Sequence, residues 1–226
     1  MSLSPGGPDL APLSSLDDPL RRRLYEVVTS HPGPVSRDEA ASETGIGRAL
    51  AVYHLDKLVE SGLLTASYQR PPGRRGPGAG RPAKVYARSD REFAVTVPPR
   101  EYELAARLLV QAVEADPSDR SRSVLAEAAR RLGAELGRAF ERDAGERDVK
   151  GVLTQQGYEP CGGTDDVIRL RNCPFHQLTE QHREVVCGMN LALVEGLVDG
   201  LGAGGLRPVL DPQPGHCCVA IGGERS

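Results

Sequence analysis

Apolar positions recur three and four apart along much of this 226-residue chain, and two short apolar runs interrupt that rhythm near residues 63–69 and 83–88. Leu20, Leu24, Val27 and Val28 form the first helical stripe. Asp18 ahead of Pro19 supplies a cap and a first-turn proline, and His31-Pro32-Gly33-Pro34 stops the helix. Ser36-Arg37-Asp38-Glu39 has the spacing of a capping box and opens a short second helix that ends near Thr44-Gly45. A third helix is predicted from about Gly47 to Ser61, with Val52, Leu55, Leu58 and Val59 inward and Gly62 as its stop. The run LLTASYQR, the Pro/Gly/Arg-rich PPGRRGPGAGRP and the run AKVYARS then read as a β-hairpin with a long basic tip.

Three helices followed by a basic-tipped hairpin is the winged helix-turn-helix plan, in which the third helix enters the major groove and the wing touches the backbone or minor groove. Arg48, Ala51, Tyr53, His54 and Lys57 fall on or beside the outer face of the third helix, and Arg70, Arg74, Arg75, Arg81 and Lys84 lie on the wing. Charge agrees with this division. The chain has a net charge of −3, yet Tyr68–Arg91 holds seven basic residues against Asp90 alone. A basic front and an acidic remainder point to a polyanion partner for the front.

Beyond the hairpin the helical period returns. Pro99 opens a helix whose apolar set is Leu104, Leu108, Leu109 and Val113, and Asp116-Pro117-Ser118 breaks it. A longer helix follows from about Ser121 to Asp143, with Val124, Leu125, Ala128, Leu132, Leu136 and Phe140 on one face and Arg and Glu on the other. Such a stripe behind a winged domain suits pairing with its twin, and a homodimer suits pseudo-palindromic double-stranded DNA.

The last eighty residues mix periods. A short helix is predicted from Asp148 through Leu153, ended by Gly157-Tyr158-Glu159-Pro160. Then come a strand over 166–171, a helical run over roughly 174–201 and a strand over 216–221. Gly202, Gly204 and Gly205 follow a helix rather than a strand, so this glycine-rich stretch reads as a loop and not as a nucleotide-binding turn.

Four of the five cysteines fall in the last 54 residues. Cys173, within Asn172-Cys173-Pro174-Phe175, precedes a helix start, where unpaired N–H groups favour a thiolate. On one straight helix Cys187 would lie roughly 21 Å from it at about 1.5 Å rise per residue, too far to share a metal. Either the two are unrelated, or the helix breaks; Glu180-Gln181-His182-Arg183, with no strongly apolar residue, is the place for such a break. Cys217 and Cys218 are adjacent on an expected strand and so should point to opposite faces, Cys217 inward with Val219 and Ile221. Intervals of 13 and then 29 residues match neither a zinc ribbon nor a ferredoxin run. Spacing alone leaves open a metal, a thiol switch, or cysteines that simply fill a core.

Composition sets limits. The chain has no Trp and only three Phe, so Leu, Val and Ala must supply its cores. No run nears the roughly 20 apolar residues of a membrane span. Residues 1–15 lack the basic and apolar regions of a signal peptide and read as a disordered lead-in. A cytoplasmic protein is expected, where an odd cysteine count favours metal or redox chemistry over disulfides. No nucleophile–base pair is assignable, so an enzyme, including a redox enzyme, ranks below a regulator.

The segments GRALAVYHLDKLVESGLL and GRPAKVYARS resemble the winged-helix repressors of the ArsR-like superfamily, and more narrowly the SufR-like regulators of iron–sulfur cluster assembly. The likeness rests on the Tyr-His-Leu step with Leu58, on Gly62-Leu63, and on Gly80-Arg81-Pro82 before Tyr86. It implies a [4Fe-4S] cluster on Cys173, Cys187 and Cys217, with the fourth ligand open among Cys161, Cys218, His176, His182, His216 or a small exogenous ligand. Zinc on the same cysteines and a metal-free ligand-binding module are the alternatives.

The expected fold class is thus α+β: a disordered lead-in over 1–15, a winged helix-turn-helix domain over 16–91, central dimerisation helices over 92–147, and a small α+β sensor domain over 148–226. The expected function is a DNA-binding transcriptional regulator, a repressor by resemblance, and not an enzyme.

Overall fold

The computed structural model describes residues 10–69, 82–93, 100–144, 148–162 and 167–223, and the chain divides into two compact units, Met1–Arg100 and Glu101–Ser226.

The first unit is built as the capping signals dictate. A short helix, α1 (Leu10–Ser14), lies inside what was expected to be a disordered lead-in, one 3-10 turn (Ser15–Asp17) spans its end, and Ser15 is buried. In α2 (Pro19–Ser30) the Asp18 carboxylate accepts the backbone N–H groups of Leu20 and Arg21 at 2.9 and 3.1 Å. After β1 (Val35–Ser36), the helix α3 (Arg37–Thr44) begins on the capping box: the Ser36 hydroxyl accepts from Glu39 N–H at 3.2 Å, and the Glu39 carboxylate accepts from Ser36 N–H at 2.7 Å. Gly45 takes the left-handed conformation that ends α3, with φ of 69°. The third helix, α4 (Arg48–Glu60), leads into an antiparallel hairpin of β2 (Leu64–Gln69) and β3 (Ala83–Arg88). β1 pairs with the other edge of β3, giving the order β1-β3-β2. Leu24, Val28, Val35, Leu55, Leu58, Leu64 and Tyr86 close one apolar core beneath these elements.

The second unit comprises α5 (Tyr102–Glu114), α6 (Arg120–Ala144), α7 (Val149–Gln155), β4 (Pro160–Gly162), β5 (Ile168–Leu170), α8 (His176–Gly200), β6 (Leu206–Leu210) and β7 (Val219–Gly223). Its antiparallel sheet runs β4-β5-β7-β6. β4 and β6 were not expected, since three residues of Pro-Cys-Gly and a strand holding Pro208 carry little alternating pattern. β5 is shorter than expected, and β7 begins at Val219 rather than 216. The glycine-rich stretch after α8 is the loop that leads into β6.

α6 and α8 approach closely because both present glycines. A Cβ on Gly133 would lie 2.1 Å from the Leu193 carbonyl oxygen, and one on Gly196 would lie 2.1 Å from that of Arg130. Ion pairs Arg130–Glu195 and Arg122–Glu184, each at 2.6 Å, flank the contact. Residues 101–226 are therefore one body, and the boundary expected at 147–148 does not separate compact units. The apolar stripes of the middle helices are split between two fates. Ala129 is buried, and Leu136 and Phe140 pack on the core with Leu153, Tyr158, Leu170, Val194, Leu197, Val219 and Ile221. Leu104, Leu108 and Leu109 of α5, with Val124 and Leu132 of α6, stay exposed. Among the described residues no helix is long and apolar enough to cross a membrane.

Candidate nucleic-acid surface and buried thiol site

On α4 the core takes Ala51, His54, Leu55 and Leu58, residues three and four apart. Two expected DNA contacts are thereby corrected. Ala51 is fully buried and His54 is 8% exposed with its Nδ1 unpartnered, so both face the core rather than a duplex. The outer arc is instead Arg48, Ala49, Leu50 and Tyr53, with Tyr53 58% exposed. Leu50 and Ala49 on this arc were not among the expected contacts, because the outer face was set one residue out of phase. The spacing from Leu55 and Leu58 back to Ala51, one helical turn at a time, was the signal that separates them.

The cations differ in how firmly they are held. Arg48 pairs with Asp38 at 3.0 Å with both side chains more than half exposed, and Lys57 pairs with Glu60 at 2.6 Å. Exposed pairs of this kind are worth little and exchange readily for a phosphate. Lys84 is more committed. It meets Asp56 at 2.6 Å, that carboxylate also accepts the Tyr86 hydroxyl at 2.9 Å, and the ammonium lies over the Tyr86 ring. Lys84 thus ties β3 to α4. Arg70, Arg74, Arg75 and Arg81 lie outside the described residues.

In the second unit the helix break falls within the predicted segment: His182 has φ −129° and ψ 39° inside α8. His182 is buried there, its Nδ1 2.8 Å from the Glu114 carboxylate of α5. Around the break, four thiols interact, Cys173 before it and Cys187, Cys217 and Cys218 after it. Cys173 and Cys217 shift each other's titration, Cys218 raises that of Cys187, and the charge of Cys187 acts on Cys173. Asn172 holds its end of the site in place by donating to the Gly157 carbonyl at 2.6 Å, and Cys217 N–H donates to the Leu170 carbonyl at 2.7 Å.

Two expectations change here. Cys217 is buried as foreseen, but both members of the Cys217-Cys218 pair precede β7, so strand alternation does not separate them, and Cys218 joins the set through Cys187. Donors also gather on Cys217 rather than on Cys173. Cys217 accepts from the Cys173 thiol, from the N–H groups of Val219 and Cys218 and from the Asn190 amide, which bring it down to about 7. Cys173, as the donor to that sulfur and buried beside it, is pushed up. Burial and the bond to Cys218 push Cys187 up to about 12.

The other candidate ligands stand apart from these couplings. Cys161 donates to the Arg169 carbonyl at 3.4 Å across the β4–β5 pair. His176 is exposed and 3.9 Å from Glu180, and His216 is 3.1 Å from the Pro214 carbonyl. His182 keeps a buried, unpartnered Nε2 but is engaged with α5. The donor chemistry of the set, four thiols with no carboxylate among them, suits soft metals and iron–sulfur clusters. Among the described residues no three His, Cys, Asp or Glu side chains are already gathered at the spacing of a single bound ion, so the two thiol pairs would have to converge on one.

Residues 16–65 match the family described as a helix-turn-helix domain, the span that runs from the 3-10 turn through α4 to the start of β2. No curated protein matches the chain significantly. The N-terminal unit thus carries a helix-turn-helix domain followed by the β2–β3 hairpin, an arrangement found in DNA-binding transcriptional regulators.

Proposed function

We propose that this chain is a homodimeric transcriptional repressor of the SufR-like kind, whose second unit holds a [4Fe-4S] cluster that sets DNA affinity. DNA would be read by the start of α4, through Arg48, Ala49, Leu50 and Tyr53, and clamped by the wing arginines on phosphates. Cys173, Cys187 and Cys217 would ligate the cluster, with Cys218 as the fourth donor. When bound, the group supplies a redox-labile centre; the chain supplies the thiolates and the donors around them. The single observation that supports the metal reading is that Cys173, before the break at His182, acts on Cys217, while Cys187, after it, acts on Cys218, so that three separate segments bring thiols into interacting pairs.

The exposed Leu104, Leu108 and Leu109 with Val124 and Leu132 support a dimer. Together they leave an apolar surface on α5 and α6, with an open cleft between them lined by Val113, Val124, Leu125 and Ala128 together with Arg120 and Ser121. A route from thiols to dimer lies within the second unit: Cys187 is on α8, and α8 packs backbone to backbone on α6. Ligation that reshapes α8 would shift α6 and so the spacing of two recognition helices.

A metal-free thiol switch is the second reading, favoured by the Cys173–Cys217 hydrogen bond and the lowered Cys217. Anaerobically purified protein separates the two. Broad absorbance near 400 nm with about four iron and four sulfide per chain, as the proposed [4Fe-4S] cluster requires, supports the cluster. A colourless protein with one zinc, or with no metal and an oxidant-dependent disulfide, replaces it.

A further inference from the structure

The core of the second unit is made of Val, Leu and Ile side chains, with two polar groups set among them. Tyr158 and Asn190 are each 1% exposed. The Tyr158 hydroxyl donates to Asn190 Oδ1 at 2.5 Å, and Asn190 Nδ2 donates to Cys217 Sγ at 3.3 Å. Burial keeps Tyr158 protonated well above its ordinary range, so it remains a donor. The amide is consequently held in one orientation, its carbonyl toward the tyrosine and its N–H groups toward sulfur.

This arrangement is wasteful as pure structure. A neutral thiol is a weak acceptor, and burying an amide and a phenol costs free energy unless each is well paired. Phe and Leu would fill the same space without that cost. An N–H aimed at sulfur is worth more when the sulfur carries charge or binds a metal, because hydrogen bonds to ligand sulfurs tune a centre's stability and potential.

We propose that Tyr158 and Asn190 are positioning residues for the thiol site, a buried relay in which Tyr158 orients Asn190 so that its amide N–H supports the sulfur of Cys217 as a metal ligand. This rests on the metal reading proposed above. Asn190 lies on α8 three residues after Cys187, Tyr158 follows α7, and Cys217 precedes β7. The relay therefore also ties Cys217 to α8 and to the segment that follows α7, which carries none of the four thiols.

The test is the double variant Tyr158→Phe/Asn190→Leu, read in two states of the full chain. Metal-free, it should melt at or above the wild-type temperature, since both polar partners leave together. Loaded anaerobically with ferrous iron and sulfide, it should take up iron in the wild-type ratio. It should then lose that iron to a chelator about tenfold or more faster, as removal of outer-shell partners does, with a displaced reduction potential. Iron retention and potential equal to wild type would overturn the relay. So would faster iron loss that merely follows a lower metal-free melting temperature. Should the double variant not fold, Tyr158→Phe alone, which frees the amide without emptying space, should show the same displacement of potential, and an unchanged potential overturns the proposal. If wild-type protein takes up neither iron nor zinc, the metal reading fails and the relay falls with it. If wild type loads and the variants behave identically, the relay alone fails.

Discussion

The two units of this protein handle polar chemistry in opposite ways. In the first, the groups suited to a ligand stand on the outside of a finished core: Arg48, Leu50 and Tyr53 project from α4 while Ala51, Leu55 and Leu58 close the interior. In the second, the reactive groups are inside: Cys187 and Cys217 are buried, and Cys217 belongs to the apolar core itself. A surface site can change partner without disturbing the fold. A core site cannot, because whatever the thiols bind is part of the packing. That difference suits a reader joined to a sensor: one half must hold its shape, and the other must respond to occupancy.

The sharpest way to break the comparison is to remove one buried thiol. Cys187→Ser or Cys217→Ser should abolish iron uptake under anaerobic reconstitution, measured by absorbance near 400 nm, whereas Cys161→Ser should retain it. Retention in both core variants would leave the cysteines as packing residues. Next in size, Gly196→Val drives a side chain into the Arg130 carbonyl across the α6–α8 contact. It should cost the second unit about 3 kcal/mol, the upper range for overpacking, and be seen as an early unfolding transition in calorimetry. The first unit's transition should stay in place.

Smaller effects probe the surface unit. Replacing Arg74, Arg75 and Arg81 together by Ala should weaken binding to all duplex sequences. Each lost phosphate contact should flatten the salt slope by about 1. Tyr53→Ala should instead weaken binding to the cognate operator most, with melting unchanged, while Ala51→Arg should unfold the unit. Unchanged DNA affinity for Tyr53→Ala would remove α4 from the interface. The smallest effect is at the capping box. Ser36→Ala should cost about 1 kcal/mol. Glu39 is held below its ordinary carboxylate range, first by the Ser36 N–H. Its contribution is therefore present above the unfolded value near 4.5 and lost as pH falls through the lower folded value. Acid unfolding of Glu39→Gln followed by circular dichroism should show a flatter loss over that window.

Much of the first unit was legible because its instructions are local. Asp18 and Ser36 announce helix starts through bonds to amides two or three residues away, Gly45 announces an end, and the apolar period of α4 needs only one turn of helix to express itself. Where local reading failed, it failed by angle: Ala51 and His54 were placed outward, although Leu55 and Leu58 lie on their face. In the second unit the break in α8 was legible from the polar segment around His182, because a helix without an apolar stripe has nothing to hold it straight against a core. Cys161 and the histidines could not be ranked as ligands from the chain alone, since what separates them from the thiol set is only which strand or helix each one faces.

The sequence by itself determined the capped helices, the basic hairpin with its α4, the placing of a break before Cys187, and the inward position of Cys217. Tertiary structure decided the rest. Cys218 acts on Cys187 because β7 starts three residues later than its apolar pattern suggests, and no local rule sets where a strand finds its partner. Cys217 is pulled down while Cys173 is pushed up because packing gathers donors at Cys217, here the amides beside β7 and the buried Asn190 held by Tyr158, whose bonds span 32 and 27 positions of the chain. Helix starts are made by neighbours in sequence; a thiol's protonation is made by neighbours in space.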